Sequence, residues 1–147
     1  MNAEQLIREL GKALGIELEL GSGRTCRVSL DGDVVDFEAG GESLWVMADL
    51  GPAQGREHVS TSLLAANSLG RQSGGATLAL DEERGMFTMH MELWADMPYA
   101  MFEKRLAIFV KALRWWKAWL ALPPASGTDA CMIDASPLSL PAGALRI

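Results

Sequence analysis

The feature that most constrains this chain is a switch in hydrophobic period. In Ala3–Leu14, the residues Leu6, Ile7, Leu10 and Leu14 recur at helical spacing, and Gly15 stands where a left-handed cap is expected. The period then falls to two. Thr25–Leu30 alternates, with Cys26, Val28 and Leu30 on one side and Arg27 and Ser29 on the other, and Asp31-Gly32 supplies a tight hairpin signal into a second strand over 34–38. After Gly40-Gly41 a third strand is predicted over 44–48, with both sides apolar: Leu44, Val46 and Ala48 on one, Trp45 and Met47 on the other. Cover is therefore expected on both faces of that strand. Gly51-Pro52 breaks the pattern, and a second helix is predicted over 57–69, closed by Gly70. Two further strands, 76–80 and 86–93, flank a charged loop ending at Gly85, and Phe87, Met89, Met91 and Leu93 share one face.

The helical period returns at the end. Asp96 can cap a last helix, Pro98 suits its first turn, and Phe102, Leu106, Phe109, Leu113, Trp116 and Leu120 make a stripe that Pro123-Pro124 stops. The order helix, three strands, helix, two strands, helix predicts an α+β fold: a twisted antiparallel sheet packed by helices. Residues 1–122 form the predicted domain. Residues 123–147, rich in Pro, Ser, Ala and Gly, read as a flexible tail, with docking of Leu138, Leu140, Leu145 and Ile147 on the body as the other reading.

With 147 residues, 49% of them apolar and 22% charged, the chain can build one core without staples. The net charge of −6 lies in the first 50 residues, where ten Asp or Glu face four Lys or Arg. An acidic domain repels phosphate backbones and anionic membrane surfaces, so neither nucleic acid nor membrane is an expected partner. Cys26 and Cys131 lie far apart with no metal-ligand spacing, which suits free thiols in a reducing compartment. The amphipathic start is unlike a signal peptide, and a cytoplasmic location is expected.

Groups able to do chemistry are sparse. Only His58 and His90 could act as bases near neutral pH, and a Cys26–His90 pair has nothing to orient it. The stretch from Gly70 to Gly75 lacks the lysine and hydroxyl residue of a phosphate loop and leads into a strand. The expectation is a protein that is not an enzyme and carries no cofactor or metal. Met86, Met89, Met91, Met97 and Met101 suit either core or an adaptable apolar surface, and Trp115, Trp116 and Trp119 pose the same choice.

One string goes further. Ala66-Asn67-Ser68-Leu69-Gly70, followed by Gly74-Gly75-Ala76-Thr77-Leu78-Ala79-Leu80-Asp81, resembles the class I type III secretion chaperones, the Tir-chaperone or CesT-like family. The resemblance spans residues 3–122 and implies a homodimer made largely through the second helix, with Val59, Leu63, Leu64 and Ala66 as interface residues. It also implies binding, without ATP hydrolysis, of an extended segment near the N-terminus of a secreted effector. In such a protein the first helix and adjacent strands form apolar patches, which would set Leu6, Ile7, Leu10 and Leu14 with Val35, Phe37, Trp45 and Met47 beside the client. The competing reading makes the helical residues plain core. The secretion ATPase is a further partner under this resemblance. The same fold also serves, in the family, as a regulatory binder that sequesters a cytoplasmic activator or another secretion component.

Overall fold

The computed structural model describes residues 1–123. Three helices and five strands follow in the order α1 (Ala3–Leu14), β1 (Thr25–Leu30), β2 (Asp33–Gly40), β3 (Ser43–Pro52), α2 (Ser60–Ala66), β4 (Thr77–Asp81), β5 (Met86–Trp94) and α3 (Tyr99–Ala121). The predicted tail, with its docking residues and Cys131, lies outside the described residues apart from Pro123.

All strand pairs are antiparallel, in the order β1-β2-β3-β5-β4. The β1–β2 turn has both Asp31 and Gly32 at positive φ, 51° and 89°, the paired left-handed geometry that suits a two-residue hairpin. Beyond β3 the chain crosses through α2 to the far edge, forms β4, and returns as β5 beside β3.

Helix α1 begins on a reciprocal cap. The Gln5 amide N–H donates to the Asn2 side chain, and the Asn2 amide N–H donates to the Gln5 side chain, both at 2.9 Å. The last helix starts differently from the expectation: Pro98 is its cap residue and Asp96 lies outside it, so proline's fixed φ and extended ψ set the entry rather than a carboxylate.

The predicted second helix is cut into three. A 3-10 turn, Glu57–Val59, precedes α2, and Ser68–Gly70 forms another in which Leu69 sits at φ 58°. A β-carbon makes that conformation costly, and the helix stops there because Asn67 turns its side chain away to bind β4.

The core lies between one face of the sheet and helices α1 and α3. The α3 stripe is buried throughout, as are Val28, Val35, Phe37, Leu44, Val46, Phe87, Met89, Met91 and Leu93 from the sheet. Phe37 meets Phe102 with ring centroids 6.3 Å apart. Trp116 is fully buried, lies edge-on to Trp115 and Trp119, and donates its indole N–H to the Gln72 carbonyl at 2.9 Å. At Gly74 a β-carbon would come within 2.6 Å of Ile108 Cγ2, so glycine here lets the turn before β4 touch α3.

Candidate binding surfaces

The strand registers divide the sheet residues between two faces. The helix side carries the core. The other face presents Arg27, Val34, Asp36, Glu38, Trp45, Met47, Asp49, Thr77, Ala79, Asp81, Met86, Thr88, His90, Glu92 and Trp94, and no described helix packs on it. Among the described residues, the cover expected on both sides of β3 is thus present on one. Trp45 and Met47 lie half-buried at the middle of the bare face, and Trp45 stacks obliquely on His90 with centroids 6.0 Å apart. Trp94, 65% exposed, stands at its border.

Charge surrounds this apolar centre. Arg27 pairs with Asp36 at 2.6 Å across β1 and β2, and Arg84 bridges Asp49 and Asp81, each at 2.7 Å. Hydrogen bonds from Arg84 hold the Asp81 carboxyl below the usual carboxylate range. Glu92 accepts from the Ser43 hydroxyl. The five carboxylates of Asp36, Glu38, Asp49, Asp81 and Glu92 outnumber the guanidinium groups of Arg27 and Arg84, so the rim is acidic.

A second surface follows from the join between α1 and β1. The chain after Gly15 doubles back against the helix so closely that a β-carbon on Gly11 would lie 2.8 Å from the Ile16 carbonyl oxygen and 3.0 Å from Leu18 Cβ. Ile16 is left half-exposed beside a shallow cavity of about 410 Å³ lined by Arg8, Lys12, Glu17 and Leu18. The nearby β1 is an edge strand. In the β1–β2 pairing Ala39 donates to the Arg24 carbonyl, so hydrogen-bonded positions recur at Cys26, Val28 and Leu30. The backbone groups of Thr25, Arg27 and Ser29 therefore point away from the sheet. Gly21 donates to the Thr25 carbonyl at 2.8 Å, whereas those of Arg27 and Ser29 meet no partner among the described residues.

A third surface is apolar and surrounds α2. Leu64 and Leu69 are 72% and 82% exposed, and Leu80 on the adjoining β4 is 46% exposed.

These placements sort the residues singled out from the sequence. Leu6, Ile7, Leu10, Val35 and Phe37 are core side chains, at most 3% exposed, and offer a partner no surface. Helical and strand periods put them on shared faces, and both faces turn inward. Leu14 packs half-buried at the core margin, leaving Trp45 and Met47 on the bare face. Of the α2 set, Val59, Leu63 and Ala66 are buried within the protomer, and only Leu64 projects outward. Leu69 and Leu80 were missed as surface residues. The helical period hid Leu69, because it assumed a helix continuing where the backbone turns left-handed.

Cys26 belongs to the helix-side face and His90 to the bare face, so the sheet separates them. Burial, with the Asp36 charge adding to it, pushes the Cys26 thiol up, away from a reactive thiolate. Among the described residues no group of three His, Cys, Asp or Glu side chains could hold a metal, and no helix is long and apolar enough to cross a membrane.

A helix-backed, five-stranded antiparallel sheet with one bare face and an open edge defines a protein suited to holding another chain. Residues 5–117 match the model of the Tir chaperone protein (CesT) family, and the chain belongs to that family. Solved structures share the fold at low identity. The ExsC–ExsE complex matches with a TM-score of 0.68 and 19% identity, covering 84% of this chain and 95% of that one. The HopA1–SchA chaperone–effector complex gives 0.67 and 18%, covering 78% and 91%. The Yersinia pestis type III secretion chaperone SycH, in complex with a stable fragment of YscM2, gives 0.63 and 20%, covering 78% and 98%. A search of curated protein sequences returned no match.

Proposed function

We propose that this protein is a type III secretion chaperone that binds the N-terminal segment of a secreted effector in extended form and keeps it soluble and competent for export. It acts in the bacterial cytoplasm as a homodimer, hydrolyses no ATP and is not an enzyme. Family membership supports this reading, as does the presence among its structural neighbours of the HopA1–SchA chaperone–effector complex. The observation that carries it is the combination of a bare sheet face and an open β1 edge. An edge offers hydrogen bonds to any extended backbone, while side-chain surfaces choose among sequences.

Arg27 and Ser29 supply the backbone groups for an added strand, and Ile16, Leu14 and Leu18 border its path. Trp45 and Met47 contact client residues that continue onto the bare face, whose acidic rim favours basic flanking residues. Leu64, Leu69 and Leu80 supply the apolar part of the dimer contact. The secretion ATPase is the partner that would receive the loaded complex.

Co-purification from the native cell, followed by mass spectrometry and limited proteolysis, tests the proposal. Protection of an early segment of a secreted protein is the expected result. Recovery of a cytoplasmic regulator alone would instead establish the regulatory form of the same fold.

A further inference from the structure

We propose that the row Glu38, Trp45 and Glu92 on the bare sheet face is a seat for an arginine side chain of an extended partner segment. Its bearing on the client rests on the chaperone reading, to which it adds a residue that the held segment must present.

The row follows from the strand registers. Trp45 of β3 lies directly opposite Glu38 of β2 on one side and directly opposite Glu92 of β5 on the other. Strands about 4.8 Å apart therefore hold the two glutamates about 10 Å from each other, with the indole between them. Glu38 and Glu92 are exposed and Trp45 is half-buried, so a partner can reach all of them. Trp45 is steadied by its oblique contact with His90. Ser43, the buried neighbour of Trp45 on the same face, donates its hydroxyl to Glu92 Oε1 and fixes that carboxylate, leaving Oε2 to accept from another group.

The other carboxylates of the face are neutralised from within. Asp36 is paired with Arg27, and Asp49 and Asp81 share Arg84, so both guanidinium groups of the face are engaged inside the protomer. Glu38 and Glu92 meet no cationic side chain among the described residues. The unbalanced negative charge of the face is thus concentrated on either side of its central aromatic ring.

A cation answers both features at once, because carboxylates attract it by charge and an indole attracts it through the ring quadrupole. Arginine fits better than lysine. A guanidinium lies flat on an aromatic ring while its N–H groups point outward in its own plane, towards acceptors on either side. An ammonium is a compact, strongly hydrated point charge without that fork. The seat belongs to β2, β3 and β5, whereas the proposed dimer contact uses Leu64, Leu69 and Leu80, so the two share no residue.

The test titrates the full chain, isotope-labelled, with synthetic peptides of threonine and serine whose central residue is arginine, lysine or the uncharged arginine isostere citrulline, and follows the indole N–H signal of Trp45. The arginine peptide is expected to move that signal to saturation, the lysine peptide to bind about threefold more weakly and the citrulline peptide about tenfold more weakly. In the double variant Glu38→Gln, Glu92→Gln the arginine peptide should lose about tenfold in affinity and match citrulline. Arginine and citrulline peptides that bind alike, or an arginine affinity unchanged in the double variant, overturn the proposal. Lysine binding as tightly as arginine overturns the assignment to arginine. If the double variant does not fold, arginine against citrulline on the unsubstituted protein decides alone. No effector takes part in the titration, so a failure here rejects the seat and leaves the chaperone reading to co-purification, and a failed co-purification leaves the titration standing.

Discussion

The two faces of the sheet share strands and registers but differ in what they can tolerate. Strand β3 shows this within one segment: Leu44, Val46 and Ala48 are sealed under the helices, while Trp45 and Met47 lie against no described helix. The helix side admits one charged sheet residue, Asp33, and holds it with Arg114 and Lys117 of α3, each at 2.8 Å. The bare face carries five carboxylates around an aromatic and thioether centre. One face specifies the fold, and the other carries no helix among the described residues.

The largest expected effects on stability belong to the helix side. Trp116→Ala empties a fully buried site and removes the hydrogen bond to Gln72, and a loss of about 3–5 kcal/mol is expected in urea unfolding. Leu10→Asp acts in the same range by placing a carboxylate in the core, and a soluble, fully stable Leu10→Asp protein would break the division between the faces. Gly11→Ala comes next. Overpacking against the Ile16 backbone should cost about 1–3 kcal/mol, with faster amide exchange at Ile16, whose N–H donates to the Gly11 carbonyl.

The Asp33 site sharpens the comparison through pH. Burial raises the Asp33 carboxyl, but the hydrogen bonds from Arg114 and Lys117 outweigh it and hold the group below the ordinary range. A carboxyl depressed in the folded state contributes stability above its unfolded value of about 3.9 and loses it as pH falls through the folded value. Asp33→Asn should therefore cost about 1 kcal/mol at pH 7, limited by the partly exposed cations, and the gap to the unsubstituted protein should close towards pH 3. A gap that stayed constant across that range would show that the ion pairs contribute nothing.

The smallest effect on folding is expected on the bare face. Met47→Gln should change unfolding free energy by no more than about 0.5 kcal/mol, yet weaken effector-segment binding about tenfold in titration calorimetry, the equivalent of about 1.4 kcal/mol. Binding unchanged by Met47→Gln and by Trp45→Ala would remove this face from the client site.

Local chemistry made much of the architecture legible. The bounds of α1, the Asp31-Gly32 hairpin and the α3 stripe each depend on residues close in sequence, and each was readable for that reason. The string from Ala66 to Asp81 signalled the family. The candidate surfaces were less legible. Leu6, Ile7 and Leu10 look identical in sequence whether their stripe meets a partner or their own sheet, and Val59, Leu63 and Ala66 repeat that ambiguity on α2.

The sequence by itself determined which residues share a face, where most elements begin and end, and the family to which the chain belongs, because period and turn chemistry act over a few residues. Tertiary structure alone decided which faces are covered, that Cys26 and His90 lie on opposite sides of the sheet, and that Asn67 caps Leu78. Coverage depends on where distant segments come to rest, and no local pattern encodes the absence of a helix from one side of a sheet.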